Sequence, residues 1–181
     1  TNLSSILGTA VLATNAVLLQ VISLTAYFVD GLAYATESLA GRLHGKGSRE
    51  ELANLVRVSS STSLSLGLGI VIAFNLAPAP LFRLITSHSE IVGRIDGYVV
   101  WLLPVLGFAS LAYMLDGYFL GLTQGSTLRK SALVATLVGF VPTAIAAWHF
   151  QSSHLLWLSM ALFMATGAFT LGFQVPATLE K

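Results

Sequence analysis

The chain has 181 residues, of which 55% are hydrophobic and 9% charged; its formal net charge is +1 and its mean hydropathy +0.79. Ordinary soluble domains carry roughly 25% charged residues, and a soluble core of this size could not hide so much apolar surface. The composition argues against an ordinary soluble domain and points to an integral membrane protein; the net charge by itself says nothing about nucleic acid, and no basic block occurs, while the absence of cysteine removes disulfides and thiolate metal sites.

The charges cluster, leaving stretches without any at 1–29, 58–82, 97–115, 117–128 and 131–179. Each can hold at least part of a membrane span of about 20 residues. The predicted fold is all-α, a single membrane domain over 1–181 built as a bundle of about five transmembrane helices. The first helix is expected over about 5–43, the second over about 50–76, ending before Ala77–Pro80, where proline removes backbone donors. The third covers about 90–123 with Pro104 as an expected kink, the fourth about 128–150 with Pro142, and the fifth about 154–177. The apolar runs show no period-2 alternation, which argues against a β-barrel.

Lysine and arginine set the orientation. Alternating spans put Arg42, Lys46, Arg49, Arg57, Arg129, Lys130 and Lys181 on one side and Arg83 and Arg94 on the other. The first side is expected to be cytoplasmic, so the chain would start outside and end inside, as a multi-pass protein of the cytoplasmic membrane. The chain opens on Thr1 with no recognisable signal peptide, and a fragment of a longer protein is expected.

In the first helix, Gln20, Ser23, Tyr27, Asp30, Tyr34 and Glu37 recur at steps of three and four, which places all six on one face. A polar stripe on an apolar helix should face a bundle interior or a wet cavity. Asp30 precedes Arg42 by ~18 Å of helix rise, near mid-membrane. An ionised aspartate there costs about 2.5–3.5 kcal/mol on insertion scales, which pairing, protonation or function must offset. Glu37 lies closer to the rim, where a solvated carboxylate is as good a reading as a functional one. Asp116, in the third helix, lies at similar depth, with Tyr113 one turn before it on the same face. Two mid-depth carboxylates on different helices suit proton or cation handling, with a polar contact between helices as the alternative reading.

Gly117, Gly121 and Gly125 repeat at four-residue steps, a small-residue pattern that lets a second helix approach. Two faces of the second helix, Ser59–Ser63–Gly67 and Ser61–Ser65–Gly69, read as packing. His44, His88, His149 and His154 fall at helix ends or loops, without a deep serine or carboxylate partner. No HExxH, cysteine cluster or P-loop occurs, so no catalytic or metal site and no cofactor is expected. Trp101, Trp148 and Trp157 fit interfacial anchors.

Two segments carry a family resemblance. "AYFVDGLAYATESLAGRLHGKGS" (Ala26–Ser48) resembles a helix-and-loop signature of the multidrug and toxic compound extrusion (MATE) transporters. "LLPVLGFASLAYMLDGYFLGLTQGSTLRKSAL" (Leu102–Leu133) resembles the corresponding stretch of their DinF-like branch, in which Asp-Gly precedes a glycine-containing turn and a basic residue. The family fold has twelve helices in two six-helix lobes, and this chain is similar to helices eight to twelve, the C-terminal lobe without its first helix. The resemblance implies a secondary antiporter that exports organic cations or amphipathic compounds in exchange for protons or sodium ions, by alternating access across a cavity between lobes. Its partners would be membrane lipid, small organic cations and the N-terminal lobe of the same protein, with no nucleic acid. Asp30 and Asp116 would handle the coupling ion or the cationic substrate, and Gln20, Tyr27, Tyr34, Glu37 and Tyr113 would line the cavity. The helix-ten carboxylate of the sodium-coupled NorM-like branch would fall near Ser110, so Asp116 follows the DinF-like pattern instead. A lipid-linked precursor flippase of the same superfamily and a non-transporting membrane scaffold are the alternatives. The flippase needs cations inside its cavity, and all nine Lys and Arg residues fall in loops or at helix ends.

Overall fold

The structure, a computed structural model, describes residues 9–85 and 97–180. The expected starts of the first helix near Ser5 and of the third near Glu90, with His88 and Arg94, lie outside the described residues. Helix α1 spans Thr9–Lys46, α2 Arg49–Leu76 and α3 Pro78–Ile85. A 3-10 turn, Val99–Trp101, leads into α4, Leu102–Gly121. Then α5 (Gly125–Val134), a π-helical stretch (Ala135–Phe140) and α6 (Val141–His149) form one continuous span. Helices α7 (Ser153–Gly172) and α8 (Val175–Glu180) complete the chain. Five helical stretches are long and apolar enough to cross a membrane, and no strand occurs among the described residues: this is an all-α membrane bundle.

Helix α4 is the central post and packs against α1, α2 and α7, while the α5–α6 span leans on α7. Lipid is as apolar as leucine, so these contacts are held by close packing and interhelical hydrogen bonds rather than by transfer out of water. One apolar cluster joins Leu18, Val21, Val71, Leu102 and Leu106 towards the start of α1; a second joins Ala40, Leu52, Met114, Phe119 and Leu171 towards its end.

The turn between α1 and α2 follows from Gly47, whose φ of +69° suits a residue without Cβ. The Gly47 N–H donates to the His44 carbonyl at 3.0 Å and the Ser48 N–H to the Leu43 carbonyl at 3.1 Å, a Schellman arrangement that satisfies the last carbonyls of α1. The prolines act differently from expectation. Pro78 opens α3 where a loop was expected, because a first-turn residue needs no N–H. Pro104 also stands in a first turn, that of α4, and makes no mid-helix kink. Pro142 is the second residue after the π stretch. Its ring crowds the carbonyl four residues back, and the helix widens: the Val141 N–H reaches the Thr136 carbonyl, five residues back.

Buried polar contacts tie the spans together. The Trp157 indole N–H donates to Asn15 Oδ1 at 3.0 Å, and Asn15 Nδ2 donates to Ser153 Oγ at 3.2 Å. Trp157 is therefore a buried link between α1 and α7, not the interfacial anchor expected from its position near a helix end. The Tyr118 hydroxyl and Thr178 Oγ1 lie 2.7 Å apart and fasten α8 to α4. Such bonds are worth about 0.6 kcal/mol each on average in membrane bundles.

The glycine repeat holds at two positions of three. A Cβ on Gly117 would fall on the Ala33 carbonyl oxygen, and one on Gly121 on the Glu37 carbonyl oxygen. Gly125 contradicts the packing expectation, since nothing lies within 4 Å of where its Cβ would be. The reason is local: α4 ends at Gly121, and Thr123, at φ 56°, turns the chain away before Gly125 begins α5. The serine faces of α2 divide likewise. Ser59 meets Thr36 at 3.0 Å and Gly67 abuts Ser110, whereas Ser61, Ser65 and Gly69 look outward.

Candidate functional site

Helices α1 and α4 run parallel, because moving from Ala33 to Glu37 on one matches moving from Gly117 to Gly121 on the other. Gly41 extends the seam, its Cβ position 3.2 Å from the Gly121 carbonyl oxygen. This register carries Asp30, one turn before Ala33, level with Tyr113, one turn before Gly117. Tyr113 stands within electrostatic reach of both Asp30 and Asp116. Tyr113 thus links Asp30 on α1 with Asp116 on its own helix.

Asp116 occupies a definite sector of α4. Ala112, one turn before it, lies against α7 at Gly167, its Cβ 4.0 Å from that glycine's own Cβ position. Gly117, the next residue, lies against α1. Asp116 therefore stands between those two helices; further along the same α4–α7 contact Phe108 and Phe169 pack with ring centroids 5.7 Å apart. Asp30, Tyr113 and Asp116 are all half-buried. Among the described residues no side chain hydrogen-bonds or ion-pairs with either carboxylate.

The rest of the stripe does not enter the bundle interior. Thr14, Asn15, Leu18, Val21, Thr25, Val29, Ala33, Thr36 and Ala40 fill that face of α1. Tyr27 and Tyr34 are 76% and 69% exposed, and Gln20 and Ser23 are exposed too. Glu37 is half-buried, its backbone in the seam. The stripe forms an open polar edge that leads sideways into the Asp30–Tyr113–Asp116 group. Chemically the site offers two carboxylates and phenol rings: it can attract a cation, and its aromatic faces can hold one. Among the described residues no three His, Cys, Asp or Glu side chains gather as a metal site.

Sequence reasoning missed the Asn15–Ser153–Trp157 link and the π stretch. The signals were present: an asparagine on the apolar face of a span, and a proline inside a predicted one.

The family model for MatE matches residues 1–146. The chain is also 34% identical, over 168 residues, to DNA damage-inducible protein F of Escherichia coli (strain K12). That alignment covers 91% of this chain and 36% of the relative, so the chain spans about a third of the relative's length.

Proposed function

Since the chain belongs to the MatE family of membrane transporters, we propose that it is part of a secondary antiporter. Its cargo is an organic cation or a cationic amphipathic compound, its coupling ion a proton or sodium ion, and its membrane the cytoplasmic membrane, with the Lys/Arg-rich ends inside. The remaining spans of the longer protein face the open edge of α1 and complete a cavity. The observation that carries this reading is the convergence of Asp30, Tyr113 and Asp116 beside an exposed polar stripe on a span. A mid-membrane carboxylate without a partner costs several kcal/mol, and a site that alternately holds a coupling ion and a cation offsets that cost in use. Acidic rather than basic side chains in the groove favour a cationic cargo over a pyrophosphate-linked lipid precursor. A scaffold role would leave the two carboxylates without purpose.

The test is gradient-driven transport by the full-length protein in proteoliposomes. An imposed proton or sodium gradient should drive counter-movement of a fluorescent organic cation, and dissipating the gradient should stop it. Cation movement that ignores both gradients would overturn the antiport reading.

A further inference from the structure

The α5–α6 span is held unequally along its length. Its first half, α5, buries Thr127 and Ser131, and Ser131 Oγ lies 2.5 Å from Thr170 Oγ1 of α7. Its second half, α6, buries only Ala144 and Ala147 and packs chiefly on α7. Ile145 and Trp148, on its other sides, are exposed. Among the described residues no side chain of α6 hydrogen-bonds to another helix; Thr143 bonds within its own span. One half is tied, and the other rests on a smooth alanine face. Between them the π stretch meets α7 at Gly139, where an added Cβ would lie 2.7 Å from both the Leu162 carbonyl oxygen and Thr166 Oγ1. The two backbones touch there, which makes a fulcrum. The geometry of the stretch is itself balanced. Pro142 offers no N–H, and on an α-helical path its ring would press on the Val138 carbonyl. The π form relieves that overlap but is the rarer helix. Thr143 Oγ1 stands 3.2 Å from the Gly139 carbonyl oxygen and 3.1 Å from that of Phe140, so it can donate to either as the turn widens or tightens.

We propose that the π stretch is a joint: α6 swings across α7 about Gly139 while α5 stays tied. Converting the six π residues to α geometry takes up the slack of the widened turn and re-aims everything after Pro142. A bend of about 20° over the nine residues of α6, ~13 Å of rise, moves its far end by about 4–5 Å. The alanine face lets α6 slide, and the Ser131–Thr170 bond confines the motion to that half. The transporter reading supplies a use for the joint, since alternating access needs elements that change while their neighbours hold. The joint itself rests only on the geometry of this span.

The experiment measures spin-label distances by double electron–electron resonance in the full-length protein, cleared of any other cysteine and held in lipid nanodiscs. One pair, Trp148→Cys with Phe173→Cys, reads α6 against α7; the other, Leu133→Cys with Phe173→Cys, reads α5 against α7. All three positions are exposed. The first pair should show two distances about 4–5 Å apart and the second a single distance. Pro142→Ala removes the obstacle to α geometry, so the first pair should collapse to one distance; if that variant does not fold, the two pairs in the parent decide alone. Tetraphenylphosphonium, an organic cation, should change the ratio of the two populations at least twofold. Two populations indifferent to it would keep the joint and count against the transport reading. A single narrow distance for the first pair in the parent would overturn the proposal. So would equal movement in both pairs, which means a rigid span, or two populations unchanged in Pro142→Ala.

Discussion

Gly121→Leu should collapse the bundle. A Cβ at this position already falls on the Glu37 carbonyl oxygen and 3.0 Å from the Ala40 Cβ, and leucine adds three more carbons in the same direction. Both obstacles belong to the seam of α1, one of them backbone, so no side-chain rotation relieves the overlap. Overpacking of well-filled sites costs typically 1–3 kcal/mol, and more when backbone must move, so a loss of about 3 kcal/mol or greater is expected. Thermal unfolding of the full-length protein in detergent, with size-exclusion chromatography, measures it. Gly125→Ala is the matched control, with open space around its Cβ position; it should stay within about 0.5 kcal/mol of the parent. A parent-like melting temperature for Gly121→Leu would mean that α1 and α4 are not in contact at this register.

Asp116→Asn should lower gradient-driven cation export at least tenfold, and Asp30→Asn likewise. Asparagine keeps the size of the side chain and its capacity for hydrogen bonds but removes the charge. A unit charge about 4 Å from a bound cation is worth about 4 kcal/mol at an effective dielectric constant of 20. A tenfold loss corresponds to only about 1.4 kcal/mol, so the expectation is conservative. Glu37→Gln should leave export within twofold, because Glu37 sits beyond the Asp30–Tyr113–Asp116 group, towards the charged end of α1. Parent-like export in both aspartate variants would remove the two carboxylates from the mechanism.

Much of this was legible in the sequence because helical periodicity is a property of a single helix. The steps of three and four from Gln20 to Glu37 gave the stripe, and those at Gly117 and Gly121 gave a seam without naming its partner. What one helix cannot encode is which neighbour it meets. The stripe was expected in a bundle interior or a wet cavity; the interior face of α1 is instead the uncharged one from Leu18 to Ala40, built of aliphatic side chains with Thr25 and Thr36. Gly125 kept the spacing but not the packing, because a turn at Leu122–Gln124 broke the helix that gave the spacing meaning. Trp157 matched an interfacial anchor in composition and position, and only the approach of Asn15 from another span drew it inward. Asp30 and Asp116 were visible separately; the parallel register at Ala33 and Gly117 is what joins them.

The open edge of α1 and the outer surface of the α5–α6 span are equally uncovered in this bundle: Tyr34 is 69% exposed, Leu137 63% and Ile145 59%. Their surroundings in the membrane should differ, since one would line a wet cavity and the others would meet lipid. The chain contains no cysteine, which makes the distinction measurable. Single cysteines at Tyr27, Tyr34, Leu137 and Ile145 in the full-length protein, cleared of any other cysteine, can be probed in membranes with a water-soluble maleimide. The thiolate that reacts forms only where water reaches. Tyr27→Cys and Tyr34→Cys should label at least tenfold faster than Leu137→Cys and Ile145→Cys, and a bound organic cation should slow them. Equal, slow labelling at all four positions would place the α1 stripe in lipid and contradict a transport cavity on this face.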